Sequence, residues 1–240
     1  AAMRAEETLL FGDGGNLRAA VLGINDGLVS NFSLVMGVAG GTGRADFVLL
    51  AGVAGLLAGA FSMAAGEYVS MRSQRDIYEH EIRKEEIELR ESPEDEEEEL
   101  VLIYQAKGLT GSEARTMADR IMQNPEIALD TMAREELGLD PRQLGAPVPA
   151  AASSLLAFAA GASVPVLPHA LAAGNLAFAM SIVFSALALV LVGGLLSALS
   201  GKNVLWGSTR MLIIGVAAAT LTFGLGAIVG EIIGTARPLP

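Results

Sequence analysis

The sequence predicts an all-α membrane protein, with five transmembrane helices and a charged helical domain inserted between the second and third. Three observations carry this. Hydrophobic residues make up 52% of the 240, and mean hydropathy is +0.47. Charge is segregated: no Asp, Glu, Lys or Arg occurs from Gln143 to Gly201, while residues 70–142 hold 20 of the 27 acidic and 10 of the 16 basic residues. Apolar runs long enough for a bilayer core, about 20 residues each, recur five times. The expected division is 1–70 for spans 1 and 2, 71–145 for the inserted domain, and 146–240 for spans 3 to 5.

Span 1 covers roughly 17–40 and contains Asp26. A carboxylate within a span is costly unless it faces a pore or a partner. Asp26 is therefore the first candidate functional residue, and it points to a cationic cargo. Asn25, Ser30, Asn31 and Ser33 add polarity to the same span. Span 2 begins near Asp46 and is uncharged from Phe47 to Gly66. It carries Met63 and, four residues on, Glu67, so the two share a helical face. A thioether beside a carboxylate suits a transition-metal ion, although a Met in a span also serves as packing and Glu67 also fits an interfacial position.

Span 2 has no breaker at its end, and helix formers continue to Glu91. One long helix is expected to leave the membrane and stop at Ser92-Pro93. Ser92 can cap the next helix, with Pro93 in its first turn and Asp95 at capping-box spacing. Thr110-Gly-Ser-Glu113 repeats that signal, Asn124-Pro-Glu126 gives a third start, and Gly138 a stop. On these helices Glu81, Glu85 and Glu88 share a face, Glu96 and Glu99 are three apart, and Met132 and Glu136 four apart. Converging, these faces would form an oxygen-rich cage with one sulfur, suited to Fe(II), Mn(II) or Zn(II). A glutamate run is more often a solvated face, and a Met at helical spacing more often core filling.

Spans 3 and 4 fall at roughly 149–167 and 175–199, separated by a turn region with Pro165, Pro168 and Gly174-Asn175. Span 5 is uncharged from Met211 to Gly230, with Glu231 interfacial at its end. Arg4, Arg18, the inserted domain, Lys202 and Arg210 place the N-terminus and the domain in the cytoplasm. Only Arg44 and Arg237 lie on the opposite side, so the C-terminus is outside. Abundant glycine in the spans favours close helix approach and a homodimer.

Composition excludes other classes. With no cysteine, neither disulfides nor thiolate metal sites are available. Two histidines, His80 and His169, are too few for a histidine-built site, and a net charge of −11 argues against nucleic acid. No cleavable signal peptide is evident, and the abrupt Ala-Ala-Met start suits a fragment of something longer.

Asn25-Asp-Gly-Leu-Val29, Phe61-Ser-Met-Ala-Ala-Gly-Glu-Tyr-Val-Ser70, the acidic insert and Glu135-Glu-Leu-Gly-Leu139 together resemble the vacuolar iron transporter family, over about Asn16 to Gly234. The resemblance implies a five-span homodimer with a cytoplasmic metal-binding domain between spans 2 and 3. It implies export of Fe(II), and often Mn(II), in exchange for protons along a path lined by spans 1 and 2. The family's pathway aspartate falls on Asp26 and its pathway methionine on Met63. Its metal-domain ligands fall on Glu85, Glu88, Glu96, Glu99, Glu136 and Met132. This chain departs at Ala133, where relatives carry a second methionine, and at Gly15 and Ala19, where some carry acids. Glu67 is the candidate substitute on that side.

Some bacterial relatives carry a ferritin-like di-iron domain before span 1. This chain has no Glu-x-x-His pair, so an oxidase or other enzyme is not expected. The function implied is a proton-coupled antiporter in a bacterial inner membrane. The cargo expected is Fe(II) and Mn(II), with Zn(II) and Co(II) as further divalent candidates, and no cofactor is expected to be bound permanently. The alternatives are a membrane-anchored metal sensor or store, and a carrier for Ca(II) or Mg(II), against which the methionines argue.

Overall fold

A computed structural model describes residues 14–142 and 144–235, with side chains from Arg18 onward. Arg4 and Arg237, used above for orientation, lie outside the described residues. Those residues form eight helices and no strand: α1 Gly14–Thr42, α2 Ala45–Glu91, α3 Pro93–Ala106, α4 Gly111–Met122, α5 Pro125–Glu135, α6 Pro147–Leu171, α7 Gly174–Leu199 and α8 Val204–Ile232. Five of them, α1, α2, α6, α7 and α8, are long and apolar enough to cross a membrane. The chain divides into two compact units. One comprises the described residues up to Tyr68 together with those from Pro147 onward, and the other is Val69–Ala146.

In the first unit α1 packs against both α6 and α8, and glycine lets the backbones meet. A Cβ at Gly27 would lie 2.2 Å from the Phe158 carbonyl oxygen, and one at Gly161 2.3 Å from that of Ile24. On the other side, a Cβ at Gly226 would lie 1.9 Å from the Gly37 oxygen, and one at Gly230 2.1 Å from that of Gly41. No side chain fits at such crossings, and in lipid close backbone contact is a main source of helix association. Beside them Leu28, Phe32, Val35, Met36, Val48, Val166, Leu189 and Ala219 form the buried apolar cluster. Asn31 crosses it. Its amide donates to the Gly52 oxygen at 3.2 Å and the Ala162 oxygen at 2.8 Å, tying α2 and α6 to α1.

The prolines do not form the expected turn. Helix α6 continues through Pro165 and Pro168 to Leu171, and the connection shrinks to Ala172 and Ala173 before Gly174 (φ +61°). Proline cannot donate to the carbonyl four residues back. The carbonyls this frees are those of Gly161 and Val164; separately, Ser181 Oγ of α7 donates to the Pro165 oxygen at 2.8 Å and ties α7 to α6.

The second unit is a small helical domain built on the end of α2. Leu100, Val101, Tyr104, Ala114, Ala118 and Met132 form its core. Its helix starts differ in chemistry. At α4 the Glu113 carboxylate accepts from the Thr110 N–H at 2.9 Å and from its hydroxyl at 2.5 Å. At α5 the Asn124 side chain accepts from the Glu126 and Ile127 N–H groups at 3.1 and 3.3 Å. Ser92 makes no side-chain cap, contrary to the expectation. Its carbonyl accepts from Asp95 and Glu96, while Pro93 occupies the first position, where its missing N–H costs nothing. Gly138, at φ +66°, closes α5 as expected.

Candidate functional site

Two groups of polar side chains stand out, one in each unit. The first lines a cleft of about 590 Å³ along α1 and α2. Asp26, Ser30 and Asn31 come from α1, Met63 and Glu67 from α2, and the Phe158 ring from α6. Asp26 is exposed within the single chain. Ser30, one turn on, donates to the Asp26 backbone oxygen at 2.5 Å, which leaves the Asp26 carboxylate uncommitted to that hydroxyl. Asn31 is 2% exposed; both its donor bonds go to the scaffold, so its Oδ1 is left buried without a donor. A Cβ at Gly55 would come within 2.7 Å of that oxygen, so the glycine leaves it room. Met63 packs beside Ala60, Phe158 and Ala162. Glu67 is 11% exposed, and its Oε1 is buried without a hydrogen bond; Arg18 Nη2 stands 3.7 Å away. Gly66 also lines the cleft, and a Cβ there would meet nothing within 4 Å.

The cleft therefore gathers two carboxylates, an amide oxygen and a thioether, all of them acceptors or ligands. Such a set is poor for an anion and complementary to a cation. The sulfur tilts it toward a transition metal.

The second group lies in the helical domain. Glu85 of α2, Glu96 of α3 and Glu136 just past α5 bring ligand oxygens within 4.8 Å of one another. Carboxylate–metal bonds of about 2.0–2.2 Å put opposite oxygens about 4.2 Å apart, so a small inward movement closes the set on one ion. Glu85 is 2% exposed and Glu96 8%. Each keeps one oxygen buried without a donor, the Oε1 of Glu85 and the Oε2 of Glu96. Burial, then repulsion from Glu136 and Glu96, pushes the Glu85 carboxyl up to about 8. Glu96 is raised by burial and by Glu136, and Glu136 by burial and by Glu99. Removing water from like charges favours protons or a cation.

The remaining expected ligands take other positions. Glu81 is half-buried one turn before Glu85, and Glu88 pairs with Lys84 at 3.3 Å. Glu99 is exposed, adding charge from outside the triad. Met132 is fully buried in the domain's apolar core, and its carbonyl accepts from the Glu136 N–H at 2.9 Å.

Comparison with known sequences fits this arrangement. A sequence model of the VIT family matches residues 17–227, which include both groups. The chain belongs to the VIT family. Among its relatives, the vacuolar iron transporter of Acanthamoeba castellanii is 37% identical over 217 residues, 90% of this chain and 79% of the relative. Vacuolar iron transporter 1 of Oryza sativa is 30% identical over 216 residues, 90% of this chain and 86% of the relative. Vacuolar iron transporter 1 of Arabidopsis thaliana is 30% identical over 220 residues, covering 91% and 88%. These VIT family relatives are named as transporters, not enzymes.

Two features of this VIT family chain were not singled out from sequence. Asn31 counted only as one more polar residue in a span, yet it lines the cleft, ties three helices together and keeps a buried oxygen without a donor. His169, on α6, is 8% exposed, and neither ring nitrogen has a partner among the described residues. The signal for both is the same: a polar side chain inside an apolar run.

Proposed function

We propose that this protein is a proton-coupled antiporter that exports Fe(II), and Mn(II), from the cytoplasm. The observation that carries the reading is the cleft in which Asp26, Met63, Glu67 and the free oxygen of Asn31 meet on two membrane-length helices. The names of the relatives supply the metal. In this reading Glu85, Glu96 and Glu136 capture ions from the cytoplasm, with Glu81, Glu88 and Glu99 supplying attractive charge around them and Met132 holding Glu136 in place. The ion passes to Glu67 and Met63 and then to Asp26. Protonation of Asp26 from the far side releases it. Competition between metal and proton at one carboxylate gives antiport without another moving charge.

A second copy belongs to the proposal. Asp26 is exposed in the single chain, and a carboxylate facing lipid is costly. Two clefts facing each other in a homodimer would bury both aspartates around one path. The proposed site of action is a bacterial inner membrane, with the N-terminus and the inserted domain, residues 71–145, cytoplasmic and the C-terminus outside. Zn(II) and Co(II) would fit the same ligands.

The test is iron uptake into proteoliposomes under an imposed pH gradient. Asp26→Ala should abolish iron-dependent proton flux; unchanged flux in that variant would sink the mechanism. A metal store or sensor anchored by the spans would show binding and no flux in the wild type as well. A Ca(II) or Mg(II) carrier would lose iron in direct competition with those ions.

A further inference from the structure

Arg18 has no role in the ion path proposed above. Its side chain is 69% exposed, while Glu67, its partner, is 11% exposed. At 3.7 Å the guanidinium is near enough to attract the Glu67 Oε1 and too far to hydrogen-bond it. That oxygen has no other donor and is shielded from water. A buried carboxylate in this condition is stabilised by charge alone and keeps its lone pairs free for another ligand.

Asp26 and Glu67 are the acidic side chains lining the cleft, and Arg18 is the cation paired there among the described residues. A divalent ion on Glu67 would stand within a few ångströms of the guanidinium, and the two would repel. The two compete for the same negative charge. Arg18 can leave cheaply, because most of its side chain is already in solvent and no hydrogen bond has to break.

We propose that Arg18 is a displaceable counter-ion. It neutralises Glu67 while the cleft is empty and swings out when a divalent cation binds. The inference rests on the reading of the cleft as the ion path. Its consequence is selectivity by charge: a divalent ion competes with the guanidinium far better than a monovalent one, and Arg18 raises the metal concentration at which the path fills.

The experiment compares half-saturating Mn(II) for transport in proteoliposomes. Arg18→Gln should lower it about fivefold, the scale of one partly exposed ion pair. Arg18→Lys should keep it near wild type. In a Glu67→Gln background Arg18→Gln should change nothing further, because the residue it restrains is gone. A higher or unchanged value in Arg18→Gln, or the same drop without Glu67, overturns the proposal. Absent flux in the wild type would refute transport and leave this inference testable by Mn(II) binding. Full-length protein carrying Glu85→Gln, Glu96→Gln and Glu136→Gln is titrated by electron paramagnetic resonance, with and without Arg18→Gln. Tighter binding with Arg18→Gln supports the counter-ion, and equal or weaker binding overturns it.

Discussion

At the scale of single residues, Glu85 is the most informative group in the helical domain. Its carboxyl sits near 4.5 in an unfolded chain and about 8 in the fold, so at neutral pH it is largely protonated. A raised value stabilises the fold fully below about pH 4.5 and loses that contribution as pH climbs through about 8. Thermal melts of metal-free protein should therefore fall across that window, and Glu85→Gln should flatten the fall. Metal must displace the same proton, so affinity should rise with pH and level off above about 8. Titration calorimetry at several pH values should show Glu85→Gln weakening binding and removing most of the slope, with Glu96 and Glu136 supplying the rest. Helical spacing alone placed Glu85, Glu96 and Glu136 on plausible faces. It could not say that Glu88 turns to Lys84 or that Met132 enters the core, because spacing fixes a face and not what the face meets.

At the scale of helices, the crossing of α1 and α6 depends on paired glycines. Gly161→Leu forces a side chain into the Ile24 carbonyl and should cost about 1–3 kcal/mol or more, read as a lower melting temperature in detergent. Gly224→Ala is the control, since a Cβ there meets nothing within 4 Å and alanine favours a helix. The long reach of α2, from Ala45 to Glu91, was legible from helix formers without a breaker. The extension of α6 past Pro165 was not. A proline announces a lost hydrogen bond, and whether the surrounding helices keep the segment helical is a tertiary fact.

At the scale of the whole molecule, the segregation of charge along the chain foretold its five long apolar helices. Asp26 is exposed in the single chain, and the proposed second copy is what would cover it. Mass measurement in detergent should find a dimer, and a cross-link between copies at the cleft should form in the membrane; a monomer by both would remove the shared path. Deleting residues 72–142 should raise the iron concentration needed for flux while sparing flux at saturation, measured in the same vesicles. The space beside Gly66 has a practical use. The chain contains no cysteine, so Gly66→Cys would give the molecule its only thiol, on the wall of the cleft and with room to stand. Its rate of modification by a water-soluble thiol reagent would report whether the cleft is wet. Protection by Mn(II) would reveal cargo in place before any transport is measured.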